Sequence, residues 1–119
     1  MKKISTLNKT EQKALKEFKE LLNKKYPKDI VSIKLFGSKA RGDFHKESDV
    51  DVMVVLKNEN KSKSKKDDIA DAAYDLLSKY EVDISLRVYS LKEFNYLNNI
   101  PTVFMQIIRK EGIELWNKE

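Results

Sequence analysis

The chain contains no cysteine. That removes disulfides, thiolate metal sites and cysteine nucleophiles together, and leaves oxygen donors for any metal it holds. A single histidine is present, His45; set in a polar turn between Phe44 and Lys46, with no second histidine to pair with, it reads as a solvated side chain. Glycine and proline are scarce, three and two, and most of them fall where a patterned segment stops. No stretch approaches the ~20 apolar residues that a membrane span needs. The positively charged opening MKKISTLNKTEQK is not followed by the apolar run of a secretory signal, so a cytoplasmic protein without membrane contact is expected.

What is present suits one folded domain over residues 1–119. A chain of 119 residues supports a single core and leaves no room for a second. Charged residues at 36% and hydrophobic ones at 40% describe a globular protein with a heavily solvated surface. The formal net charge is +5, but the excess lies in residues 1–30 and in the lysine-rich 58–66 stretch, while 67–119 is net acidic. That distribution reads as solvated surface. The 58–66 loop also lacks the interleaved aromatics that stack on bases, so nucleic acid is not expected as a partner.

Asn8 with Glu11 forms a capping-box pattern, and Leu15, Phe18, Leu22 and Tyr26 recur at helical spacing until Pro27. Ile30–Phe36 (IVSIKLF) reads as a strand running into a turn at Gly37, with Val31, Ile33 and Leu35 on one face. Val50–Leu56 (VDVMVVL) is nearly continuous in apolar character, which predicts an interior strand covered on both sides of its far half. After the 58–66 loop, Ile69, Ala72, Ala73, Leu76 and Tyr80 outline a second helix, with Asp67 and Asp68 suited to its positive end. Tyr74 and Tyr80 on that helix are expected in the core. Val82–Val88 (VDISLRV) alternates strictly, with Asp83, Ser85 and Arg87 sharing the polar face. Ser90 and Glu93 form a second capping box. Pro101 fits the first turn of a last helix carrying Val103, Phe104, Ile107 and Ile108, which Gly112 ends, and IELW follows as a short extended tail. The order gives an α/β (α+β) fold, a small two-layer domain with helices on a short mixed sheet.

The chemistry concentrates in Gly37-Ser38-Lys39-Ala40-Arg41-Gly42 and, with ten residues between it and Ser38, Asp49-Val50-Asp51. Aspartates two apart in a strand project from one face, their Cα atoms ~7 Å apart. A hydrophobic strand gains nothing structural from this pair, since like charges ~4 Å apart at an effective dielectric of 20 repel by about 4 kcal/mol. A cation removes that penalty. If the strand carrying Asp83 lies beside Val50–Leu56, three carboxylates converge into an all-oxygen site suited to Mg²⁺ or Mn²⁺ and to two-metal phosphoryl chemistry. Gly37 and Ser38, at a turn after a strand, offer backbone N–H groups and a hydroxyl to phosphate oxygens. Lys39 and Arg41 are placed to neutralise phosphate charge, although Arg41 serves equally well as a brace for the loop. Ser48 reads as a residue that caps or orients Asp49.

The segment GSKARGDFHKESDVDVMVV resembles the signature of the minimal nucleotidyltransferases, the small branch of the DNA polymerase β-like superfamily. RKEGIELW at 109–116 is similar to the ending of the same family, so the likeness spans roughly residues 30–116. The resemblance implies the polymerase β-like nucleotidyltransferase fold. It also implies that Asp49 and Asp51 bind two metal ions, that Asp83 holds the catalytic ion and helps activate the attacking hydroxyl, and that Gly37 and Ser38 bind the β- and γ-phosphates of ATP. The implied reaction is attack of a hydroxyl on the α-phosphate, transferring AMP and releasing pyrophosphate.

A chain this short carries no acceptor-holding domain, so the acceptor is expected to come from elsewhere. Stand-alone members of the family commonly work with a helical HEPN-domain protein as a toxin–antitoxin pair. The expectation is therefore an antitoxin that transfers AMP to a tyrosine of a HEPN toxin, alone as a homo-oligomer or in a hetero-oligomer with it. Two alternatives stay open: nucleotidyl transfer to a small hydroxylated molecule such as an aminoglycoside, and a non-catalytic antitoxin that binds nucleotide and acts by contact.

Overall fold

The structure is a computed structural model that describes residues 7–37, 49–57 and 62–117. Helix α1 (Lys9–Lys25) starts on the expected capping box: the Asn8 side chain accepts from the Glu11 N–H at 2.8 Å and Glu11 Oε1 accepts from the Asn8 N–H at 3.0 Å. Its Ala14, Leu15, Phe18 and Leu22 are buried. Strand β1 (Ile30–Phe36) pairs antiparallel with β2 (Val50–Leu56) and, on its other side, with β4 (Ile113–Asn117). Strand β3 (Ile84–Ser90) pairs with β2 in parallel, giving the order β3-β2-β1-β4. Parallel neighbours need a crossover, which helix α2 (Ser62–Tyr80) supplies. Two short helices, α3 (Leu91–Asn98) and α4 (Val103–Glu111), link β3 to β4.

The sheet is thus short and mixed, and β2 is interior as its composition predicts. Val50, Val52, Val54 and Leu56 join α1 and α2 in the larger apolar cluster. Met53 and Val55 point the other way, to Phe36, Ile108, Phe94 and Phe104. Among the described residues no helix is long and apolar enough to cross a membrane.

Several local expectations shift. A register irregularity between Ile30 and Ser32 breaks the alternation, so Val31 packs on the Phe36 side while Ile30, Ile33 and Leu35 stay with α1 and α2. Helix α2 begins at Ser62, which takes most of the predicted loop into the helix and leaves Asp67 and Asp68 beyond its first turn. Tertiary ties support the added turn: Lys65 Nζ lies 2.9 Å from Asp29 Oδ2 and Lys66 Nζ 3.1 Å from Glu93 Oε1. Tyr74 is 67% exposed because it lies off the Ile69–Ala73–Leu76 stripe, whereas Tyr80 packs on the core. Strand β3 starts two residues later than its alternation suggests. In the last helix Thr102 is the N-cap, accepting from the Met105 N–H at 3.2 Å, so Pro101 precedes the helix. Met105 and Ile108 are its buried residues, and Val103 is exposed.

Polar ties reinforce the α1–α2 contact, with Lys79 Nζ and Tyr80 Oη donating to Glu17 Oε1 at 2.8 and 3.2 Å, and a part-buried one joins the end of α1 to Asp68. Tyr26 Oη donates to Asp68 Oδ2 at 2.6 Å, and Lys25 Nζ lies 3.7 Å from the same oxygen. Burial first, then the hydrogen bond to Asp68 and its charge, push the Tyr26 phenol up to about 12. Tyr26→Phe is expected to cost about 1 kcal/mol in urea denaturation near neutral pH. Because the folded phenol holds its proton more tightly than free tyrosine, this contribution is complete below about pH 10. It is lost as the pH climbs toward 12, so ultraviolet titration should show Tyr26 ionising late, and the Phe variant should lose that signal.

Candidate active site

Asp49 is the residue directly before β2, and Asp83 the residue directly before β3. The Val50 N–H donates to the Asp83 carbonyl at 2.9 Å, and Val50 pairs with Ile84. The backbone therefore sets the two aspartates side by side at the same end of adjacent parallel strands. The Asp49 carboxyl stands close to that of Asp83, whose charge opposes its own. Asp49 reaches solvent, yet partial loss of water around its carboxyl, followed by the charge and hydrogen bond of Asp83, raises its pKa above the ordinary aspartate value. An acid that resists ionising beside another acid is the electrostatic signature of a place where positive charge is wanted.

Asp51 lies one pleat further into β2, paired with Phe36 of β1 on one side and Ser85 of β3 on the other. It shares the face of Met53 and Val55, the face on which Asp49 also falls by alternation. Its carboxyl stands against the turn that follows β1. Gly37 there has φ +75°, and a Cβ on it would run into Asp51 Oδ2 and come within 3.0 Å of Cγ. Asp49 and Asp83 are thus brought into contact, while Asp51 borders the Gly37 turn on the same face. Among the described residues no group of three or more His, Cys, Asp or Glu side chains is arranged to hold a metal ion. In chemical kind the donors fit a hard divalent cation, since all three are carboxylates.

Ser38, Lys39 and Arg41 lie outside the described residues, as do His45 and Ser48. Asp83 also contributes to the wall of a cavity of about 180 Å³ between α2 and β3, lined by Ala70, Ala73, Tyr74, Ile84 and Leu86.

One feature was visible in the sequence only as a member of a polar face. Arg87, two pleats beyond Asp83 on β3, lies beside Met53 of β2, and Lys34 of β1 lies beside Met53 on the other side. The Arg87 guanidinium sits over the Phe104 ring at 4.8 Å and Lys34 Nζ over Phe94 at 5.8 Å. Phe104 in turn meets Phe36 edge-on at 5.6 Å. The strict alternation of 82–88 was the available signal for Arg87. Its aromatic platform comes from a helix distant in sequence.

Gly37→Ala is expected to destabilise the fold by about 1–2 kcal/mol from the left-handed backbone alone. Displacement of the Asp51 carboxyl should add to this. Urea denaturation checks the prediction, and an unchanged midpoint would contradict the geometry of the turn.

Residues 15–113 match the family described as "Nucleotidyltransferase domain". A chain of Methanocaldococcus jannaschii named as a protein adenylyltransferase is 39% identical over 106 residues, covering 89% of this chain and 98% of that one. Among solved structures, a toxin–antitoxin with AMP-PNP is similar at TM-score 0.55 and 26% identity, over 87% of this chain and 73% of that chain. A complex of tri-AMPylated Shewanella oneidensis HEPN toxin with MNT antitoxin shares the fold at TM-score 0.50 and 24% identity, over 89% and 71%. With a family match across most of its length and a Gly37 turn facing strand-end aspartates, the chain belongs to the nucleotidyltransferase domain family and is a nucleotidyltransferase.

Proposed function

We propose that this nucleotidyltransferase is metal-dependent, moves AMP from ATP to a tyrosine of a HEPN-domain partner protein, and in doing so acts as the antitoxin of the pair. The observation that carries the reading is the contact of Asp49 with Asp83 at the ends of two parallel strands, with Asp51 on the same face against the Gly37 turn. The similarity to a chain named as a protein adenylyltransferase and to a toxin–antitoxin with AMP-PNP supports the choice of donor and acceptor class.

In this reading Asp49 and Asp51 would hold two Mg²⁺ ions, for which Mn²⁺ is also suited, and Asp83 would help to hold one of them. Bound there, the ions supply charge stabilisation at the α-phosphate and a lowered pKa for the attacking hydroxyl. The Gly37 backbone and Ser38 hydroxyl hold the β- and γ-phosphates, and Lys39 and Arg41 offset their charge. Asp83 orients the acceptor hydroxyl and favours loss of its proton. The hydroxyl oxygen bonds to the α-phosphorus as the bond to the bridging oxygen breaks, and pyrophosphate leaves. Most of the work is positioning and electrostatics.

Incubation with α-labelled ATP, Mg²⁺ and the product of the neighbouring gene, expected to be a HEPN-domain protein, should label a tyrosine of that protein. No label with a folded enzyme present would overturn the reading. Asp49→Ala and Asp51→Ala should each lower transfer by about 10²–10³-fold or more, and Asp49→Ala should leave urea stability unchanged or raised, because it removes a charge that Asp83 opposes. Toxin neutralisation that survives Asp49→Ala would instead identify an antitoxin acting by contact.

A further inference from the structure

We infer that the outer face of the α1–α2 layer is a contact surface between two copies of this chain, paired about a twofold axis that runs along the groove between the helices. The helices are antiparallel: Tyr26, just past the end of α1, donates to Asp68 in the first half of α2, and Lys79 at the end of α2 donates to Glu17 in the middle of α1. A groove of about 520 Å³ lies between them, with Lys24 and Lys25 on the α1 wall, Asp68, Asp71 and Asp75 on the α2 wall, and Leu21 on the α1 side. Lys25 and Asp68 meet across it at 3.7 Å. Lys24, Asp71 and Asp75 are exposed and, among the described residues, make no ion pair. Leu21 is 42% exposed.

The symmetry of the charge selects a second copy over other occupants. A groove with one basic and one acidic wall complements itself: a twofold axis along it sets the basic wall of each copy over the acidic wall of the other, and both contacts form at once. The same operation lays α1 of one copy antiparallel against α2 of the other, so that four helices pack as two layers, and Leu21 of each copy leaves water beside the axis. A 17-residue helix is ~26 Å long and a pair of helices ~20 Å wide, so the face offers about 500 Å² per copy, less than the ~800 Å² of a standard interface. The dimer is therefore reversible, with charge pairing deciding its affinity. The helical layer covers the sheet face of Val50, Val52 and Val54, whereas Asp51 shares the face of Met53. Pairing leaves the aspartates open to substrates and is independent of the reaction they perform.

The test is sedimentation equilibrium across a concentration series for wild type, Lys24→Glu, and the double variant Asp71→Lys with Asp75→Lys, with melting temperatures for each. Wild type should dimerise at low salt, and raising salt to about 0.5 M should weaken the dimer at least tenfold, because exposed charges are then screened within a few ångströms. Each variant alone should lose at least tenfold in dimer affinity, since like charges then face each other at both contacts. An equimolar mixture of the two variants should recover dimers, because their reversed walls complement one another. A wild type that stays monomeric at every concentration would overturn the inference, as would dimers that persist unweakened in both variants or a mixture no more associated than its components. If a charge-reversed variant does not fold, Lys24→Gln and the pair Asp71→Asn with Asp75→Asn decide: undiminished dimer affinity there overturns the inference, and a several-fold loss at unchanged melting temperature supports it.

Discussion

The parallel pairing of β2 with β3 is the constraint on which the site depends. It is closed at the functional end by the hydrogen bond from the Val50 N–H to the Asp83 carbonyl. Two acids that repel each other are held in contact by their backbones, because neither carboxyl supplies the force that brings it there. That force comes from the strands' apolar faces. Val50, Val52, Val54 and Leu56 are almost completely buried against α1 and α2, with Ile84 and Val82 beside them. Burying side chains of this size contributes roughly 1.5–3 kcal/mol each before chain entropy is counted, enough together to hold an unfavourable charge pair at the strand ends.

The two faces of the sheet divide the work. One is given wholly to packing, with Phe18 and Leu22 of α1 and Ile69 and Leu76 of α2 filling it. The reverse face is apolar only part of the way along β2, where Met53 and Val55 meet the side chains of α3 and α4. Beyond Met53 it turns acidic, with Asp51 and then Asp49, and the two cations stand at the boundary. The aromatic residues there serve both sides of the boundary: Phe104 packs into the small cluster and supports Arg87.

Most of the element order was legible because the periodicities are strong and the caps are explicit. Asn8–Glu11 and Ser90–Glu93 both close as reciprocal caps, and β2 announces its interior place through an apolar run that only a sheet interior tolerates. The misplacements have physical causes. Val31 changes face at a register irregularity that nothing local specifies. The lysines of 62–66 look like loop by charge, yet lysine is a good helix former, and ion pairs to Asp29 and Glu93 reward the extra turn. Tyr74 looks like core by residue type and is exposed by its angular position on α2.

By itself, the amino-acid sequence determined the donor chemistry: no thiolate, one histidine, and aspartates spaced so that alternation puts Asp49 and Asp51 on one face beside a glycine-serine turn. Those are local properties, set by side-chain type and by the two-residue period of a strand. Only the tertiary structure decided that β3 lies against β2 in parallel, so that Asp83 meets Asp49, and that a ring from α4 is carried under Arg87. Strand neighbours and helix placement depend on how distant apolar faces close on one another, and no short window of sequence contains both partners of such a contact.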